Sequence, residues 1–261
     1  MKLFYSIPLL VFLLVGCAAP RPQLPPAPEA KILLQQLDRS SQRWQQLDAA
    51  AKVGIERDGK SLSTQQFMLL EKPDSIRVDV LSLFSQLALQ LTVSQGEIQV
   101  FLNTTVPGQF YRGPASDDLL ARFTRLPLAA PELVRLLLYD PPHADYQTVA
   151  VETSEDRYLL RLDRGDREQQ FWFDGQLQLR RCLYLRNAEP LLIVDYAKID
   201  QIDGFPRRVQ IEMPPQATRV TINFSELSLN KPIKSGRFQL SPPANAVPLV
   251  LPGFSPEEER S

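Results

Sequence analysis

Ile76-Arg77-Val78-Asp79-Val80 and Leu87-Ala88-Leu89-Gln90-Leu91-Thr92-Val93 are the stretches whose alternation decides the fold. In the first, Ile76, Val78 and Val80 fall on one side of an extended chain, and Arg77 and Asp79 on the other. In the second, Leu87, Leu89, Leu91 and Val93 alternate as cleanly. Successive side chains of extended backbone point to opposite sides, so a period of two marks strands with one apolar face. Working outward, Gln95-Gly96 turns the chain into Ile98, Val100 and Leu102, and a short sixth strand is expected near Gln109 to Arg112. Upstream, Lys72-Pro73-Asp74 turns back to a strand over Leu62 to Leu70. Asp58-Gly59 is a tight hairpin signal joining that strand to Val53 and Ile55, with strand periodicity starting at Ala51.

Three segments carry a helical period instead. Over Ala30 to about Leu47, Leu33, Leu37, Trp44 and Leu47 lie near one face. Ser116 can cap a second helix, with Asp117 and Asp118 favourable beside its N-terminal dipole and Leu119, Leu120 and Phe123 as its stripe. Pro131 suits the first turn of a third, Glu132 to Tyr139, which Pro141 and Pro142 halt. Leu133, Val134, Leu136, Leu137 and Leu138 make this helix apolar nearly all round, so it is buried or covers something greasy. Seven further strands follow, at 147–152, 158–163, 169–173, 177–185, 191–196, 207–213 and 219–227, with Asp174-Gly175 as another turn. About a dozen evenly spaced strands without an internal linker describe one domain built on a meander. Leu183-Tyr184-Leu185 and Leu191 to Val194 are apolar on both faces, which calls for cover on both sides or an enclosed cavity.

Composition limits the chemistry. The 261 residues hold 29 basic and 30 acidic side chains, which gives no electrostatic case for nucleic acid. One histidine and two cysteines exclude a multi-ligand His/Cys zinc site. His143, in Asp140-Pro141-Pro142-His143-Ala144-Asp145, is better read as a loop histidine than as a general base, and Cys182 as a buried structural thiol. No Gly-rich phosphate loop, G-x-S-x-G elbow or H-E-x-x-H motif occurs, so no catalytic residue, metal ligand or cofactor is assigned and a non-enzymatic role is expected.

At the N-terminus, Lys2 precedes an apolar run from Leu3 to Val15, too short to span a bilayer comfortably, and then Gly16-Cys17-Ala18-Ala19. Leu14-Val15-Gly16-Cys17 resembles the bacterial lipobox. That resemblance implies removal of residues 1–16, a covalent diacylglycerol on the Cys17 sulfur and an N-acyl chain on its amino group. Ala18 resembles the outer-membrane default rather than inner-membrane retention. Pro20, Pro22, Pro25, Pro26 and Pro28 stiffen a tether over 17–29, the domain is expected over 30–250, and 251–261 reads as a disordered tail.

Trp44, Ala50-Ala51-Lys52-Val53-Gly54-Ile55, Lys72-Pro73-Asp74-Ser75-Ile76-Arg77-Val78-Asp79, Asn230-Lys231-Pro232-Ile233 and Phe238-Gln239-Leu240-Ser241-Pro242-Pro243 together resemble the LolA/LolB lipoprotein-carrier superfamily. The resemblance implies an α+β, mainly β fold: an open antiparallel half-barrel of about eleven strands, with helices covering a concave face that receives acyl chains. It implies an outer-membrane, periplasm-facing lipoprotein that takes acylated lipoprotein or lipid cargo, with a LolA-like periplasmic carrier and membrane lipid as partners. LolB-like proteins carry a membrane-engaging loop after the third strand. Ser82-Leu83-Phe84-Ser85-Gln86 stands there, so Leu83 and Phe84 are candidates, with packing at a strand end as the competing reading. Candidate cavity residues are Trp44, Leu89, Leu91, Phe123, Leu133, Leu137, Phe171 and Phe173, for any of which ordinary core packing is an equal reading. A different class of function, a non-catalytic envelope scaffold acting through protein contacts, would use the same fold with its cavity filled by its own side chains.

Overall fold

The computed structural model describes residues 24–250 except 155 and 245. The signal segment 1–16, Cys17, the start of the tether and the tail from 251 lie outside the described residues. The chain enters through helix α1 (Ala30–Arg43) and then lays down six strands: β1 (Gln46–Arg57), β2 (Lys60–Glu71), β3 (Ser75–Leu81), β4 (Leu87–Ser94), β5 (Glu97–Leu102) and β6 (Gln109–Pro114). Helices α2 (Asp117–Thr124) and α3 (Ala130–Leu137) follow. A second run comprises β7 (Thr148–Ser154), β8 (Arg157–Arg164), β9 (Arg167–Phe173), β10 (Leu179–Arg186), β11 (Glu189–Ile199), β12 (Pro206–Met213) and β13 (Thr218–Leu229), and a last strand is β14 (Val247–Val250).

All fourteen strands join one open sheet in the order β14-β6-β5-β4-β3-β2-β1-β13-β12-β11-β10-β9-β8-β7. Every pairing is antiparallel except β14 on β6, which is parallel. The sheet is larger than the eleven or so strands expected, and β14 is the strand the sequence hides. Pro248 lacks the N–H that an inner strand donates, and it is tolerated because β14 lies at the sheet edge. Asp58-Gly59 and Gln95-Gly96 form their turns with positive φ at both residues, the geometry that matches strand twist.

Two helix boundaries differ from the expected ones. Helix α1 stops at Arg43, and Leu47, read as helical, is a buried residue of β1. The cause lies far away in sequence: the Asn230 side chain accepts from the Gln45 N–H at 2.8 Å and donates to the Arg43 carbonyl at 2.8 Å. It thereby satisfies groups that another helical turn would have used. Trp44, in extended backbone, sets its ring edge against Phe205 at 5.7 Å, with the Arg43 guanidinium over it at 4.5 Å. Helix α3 starts earlier, at Ala130, where the Glu132 carboxylate accepts from the Ala129 N–H, and ends at Leu137, after which Tyr139 takes a positive φ of 56°.

The segment after α3 is fastened from several sides. The nearly buried Asp140 carboxylate meets Lys72 Nζ at 2.7 Å and accepts from Arg135 Nε and Nη2, each at 3.0 Å, and Lys72 Nζ also donates to the Ser41 carbonyl at 2.6 Å. That hydrogen bond to Asp140 holds the Arg135 guanidinium above its ordinary pKa. Tyr196, Tyr139 and Tyr184 donate their hydroxyls to the carbonyls of Leu136, Leu179 and Pro142, and burial raises all three phenols. Asp140→Asn is expected to lower unfolding free energy by about 3 kcal/mol, because two cations lose the one carboxylate they share. Chemical denaturation checks it: a loss below about 1 kcal/mol would mean that water replaces the carboxylate at this node.

Candidate functional site

The concave face of the N-terminal half carries an apolar cavity of about 100 Å³. Its sheet wall alternates as the sequence does: Val53 and Ile55 from β1, Met68 and Leu70 from β2, Ile76, Val78 and Val80 from β3, Leu89 and Leu91 from β4, Val220 and Ile222 from β13. Its roof is Phe123, Thr124 and Leu126 at the end of α2 with Leu133 and Leu137 from α3. Gln66 and Thr124 are the polar members of the lining. Of the eight residues proposed from sequence, Leu89, Leu91, Phe123, Leu133 and Leu137 are in the lining. The other three are placed elsewhere in the core. Trp44 packs on Phe205, Phe171 lies edge-on to Tyr184 at 6.3 Å, and Phe173 is fully buried. Aromatic side chains suggested a lining because they are large, but in this sheet they fill its C-terminal half. The lining residues on β1 and β13 were signalled only by alternation.

Strand direction tells which way the cavity faces. In the antiparallel meander the β1–β2, β3–β4 and β5–β6 connections fall at the same end of the strands. Leu62, on the concave side beyond Gln66, is 62% exposed at that end, so the wall continues as apolar surface toward this rim. In the β3–β4 connection Leu83 is 92% and Phe84 86% exposed, which removes the competing reading that they pack in the core. Val106, in the β5–β6 connection, is 100% exposed, and sequence reading did not single it out. The two connections are tied together: Asn103 donates from its backbone N–H to the Ala88 carbonyl at 2.9 Å and from Nδ2 to the Leu87 carbonyl at 3.0 Å. Neither Ser82-Leu83-Phe84-Ser85-Gln86 nor Asn103-Thr104-Thr105-Val106-Pro107-Gly108 contains a charge. The described chain begins at the opposite end of the strands, where the Pro25 carbonyl accepts from the Tyr158 hydroxyl at 3.2 Å and Leu24 lies against Gly175.

The residues with reactive chemistry lie away from this cavity. His143 Nε2 is 3.3 Å from Asp38 Oδ1 on α1. Cys182 is fully buried on β10, and that burial pushes its thiol well above the ordinary range, which makes it a poor nucleophile. Among the described residues no group of three or more His, Cys, Asp or Glu side chains is placed to hold a metal ion, and no helix is long and apolar enough to cross a membrane.

An open antiparallel sheet with helices roofing an apolar concave face is a LolA/LolB-like fold, and this chain has it. Among solved structures it is similar to a DUF1329 family protein from Desulfovibrio piger, with a TM-score of 0.55 and 16% identity over 80% of this chain and 95% of that one. It is also similar to a LolA superfamily protein from Nitrosomonas europaea, with a TM-score of 0.51 and 14% identity over 82% of this chain and 99% of that one. A third is a Vibrio parahaemolyticus domain provisionally described as an outer membrane lipoprotein-sorting protein, with a TM-score of 0.51 and 12% identity over 80% and 97%. No protein-family model and no curated protein matches the chain.

Proposed function

We propose that this chain is a membrane-anchored envelope lipoprotein that takes acyl chains of lipoprotein or lipid cargo into the concave cavity and releases them at an outer-membrane surface. The observation that carries this reading is a shared direction: the apolar cavity wall runs out to the rim that holds Leu62, Leu83, Phe84 and Val106. Hydrocarbon leaving the cavity along β3 to β6 would meet the two uncharged connections, while the charges of this rim, Arg57, Asp58 and Lys60, stand to one side in the β1–β2 connection. Transfer is then partition without covalent chemistry, with each methylene moved out of water contributing about 0.8 kcal/mol. The likeness to LolA-superfamily structures supports the same carriage.

At about 100 Å³ the cavity is smaller than an engineered apolar cavity of about 150 Å³ that admits benzene, so an acyl chain enters only if the roof moves. Helix α3 is fixed by the Asp140 node and by the Tyr196 hydroxyl. Helix α2 has a Ser116 cap, one fully buried side chain, Leu120, and the ring contact of Phe123 with Tyr111 at 6.2 Å. With fewer fastenings, α2 is the part of the roof that gives way.

Anchoring through acylated Cys17 sets the geometry of delivery. Seven residues from Cys17 to Leu24 reach at most about 25 Å, whereas the twelve residues of β1 extend about 40 Å. The rim lies at the far end of the strands from Leu24, so it meets the anchoring bilayer only with the strands lying along the surface.

Native mass spectrometry tests the reading on the chain from Cys17 to Ser261, made without the signal segment so that Cys17 stays unacylated. Co-purified fatty acid or phospholipid, or uptake of added dodecyl-chain probes at one per protein, is the expected result. An apo mass that takes up no probe would overturn carriage and leave the scaffold reading, in which the cavity's own side chains are its permanent filling.

A further inference from the structure

Gln66 is the one lining side chain whose polarity the fold does not consume. It is 8% exposed, lies on the apolar wall between Ala51 and Val80 in the strand register, and faces the cavity beside Met68 and Leu70. A glutamine amide offers two N–H donors and a carbonyl acceptor. Among the described residues it makes one hydrogen bond, from Nε2 to Thr64 Oγ1 at 3.0 Å. The other polar lining residue is already spent: Thr124 donates its hydroxyl to the Leu120 carbonyl at 2.9 Å and accepts from the Leu126 N–H at 3.2 Å. An amide buried in an apolar wall with a donor and an acceptor free costs stability that leucine or methionine in its place would not.

Position suggests what the free groups meet. From Gln66, the wall runs away from the rim through Met68 to Leu70, about 13 Å of strand, with Ile76 and Val78 beside it. On the rim side stand Thr64 and then Leu62. A chain entering from the rim would lay its hydrocarbon along Met68 and Leu70 and leave its head linkage level with Gln66. We infer that Gln66 reads that linkage, and that the preferred cargo is an acyl chain joined through a secondary amide. Such a linkage offers a carbonyl to the free Gln66 N–H and an N–H to the Gln66 carbonyl, so both are answered. An ester answers only the donor, and so, more weakly, does the oxygen of an ether. A free carboxylate takes the donor but brings a charge into an apolar cavity. This inference rests on the acyl-carriage reading above.

The test uses the same unacylated chain from Cys17 to Ser261 and two probes of equal length, N-methyldodecanamide and dodecyl methyl ether, measured by calorimetry or competitive displacement. The wild-type chain is expected to prefer the amide by about fivefold, the size of the one net hydrogen bond that the ether cannot make. Gln66→Met, which keeps length and flexibility, should abolish or reverse the preference, because the amide then buries two unanswered polar groups and the ether only one weak acceptor. Gln66→Leu provides the same test if the methionine variant does not fold. Equal affinities in the wild-type chain, or a preference that survives both substitutions, would overturn the role of Gln66 while leaving carriage intact. Failure of both probes to bind the wild-type chain would instead overturn carriage, and this assignment with it.

Discussion

Phe205→Ala is expected to lower the unfolding free energy by about 4 kcal/mol, the upper range for truncating a buried aromatic ring. The ring is fully buried directly after the β11–β12 connection, where three parts of the chain converge. Three aromatic rings surround it: Trp44 at the end of α1 lies 5.7 Å away, Phe224 of β13 6.0 Å, and Tyr139 after α3 6.5 Å. Removing it leaves a void that no neighbour fills easily, because Tyr139 is held by its hydrogen bond to the Leu179 carbonyl and Trp44 by the capped end of α1. Cavity terms add to the lost transfer energy where the surroundings cannot collapse. Ile202→Ala, three residues earlier and 95% exposed, is the matched control and should change stability by less than about 0.5 kcal/mol. Guanidinium denaturation of both variants decides it, and a Phe205→Ala loss under about 2 kcal/mol would mean that the junction relaxes after all.

Phe205 also marks a limit of sequence reading. The strands were legible because each buries one face, so alternation such as Leu87-Leu89-Leu91-Val93 records the sheet directly. The expected strands at 158–163 and 207–213 correspond to β8 and β12 with shifts of one residue at their ends. What alternation cannot record is contact between distant segments. Asn230 ends α1 across 187 residues of chain, so the helical pattern through Leu47 runs on in sequence after the helix has stopped. Strand β14 is too short and too proline-broken to show a period, and it exists because β6 offers an edge. At the site, Leu83 and Phe84 were picked out by their place between two strong strands, whereas Val106 sits in a loop whose Thr-Thr-Val-Pro sequence resembles any turn. Gln66 was invisible for a different reason. It occupies an apolar position in a run that reads as strand, and only the fold shows that its amide lacks a second partner.

Leu83→Glu with Phe84→Glu should abolish rim-mediated membrane contact while leaving the fold intact. Both side chains are almost wholly in water, so the folded state loses no packing and stability should stay within about 0.5 kcal/mol. Seating two such side chains in a bilayer contributes about 1.5 to 3 kcal/mol each, so reversing it predicts at least a hundredfold loss in partition. The measurement is sedimentation of the unacylated chain with phosphatidylethanolamine/phosphatidylglycerol vesicles, alongside thermal melting of the same samples. Val106→Glu should weaken binding further, because Asn103 ties its loop to the base of the Leu83 loop. Ile202→Glu adds the same charge to an equally exposed apolar residue, but the β11–β12 connection lies at the other end of the strands. If only hydrophobic exposure mattered, the Ile202 variant would lose as much binding as the rim variants. If the rim is the docking end, Ile202→Glu will bind like the wild type and the loss will follow position, which is the property a cavity opening at that rim requires.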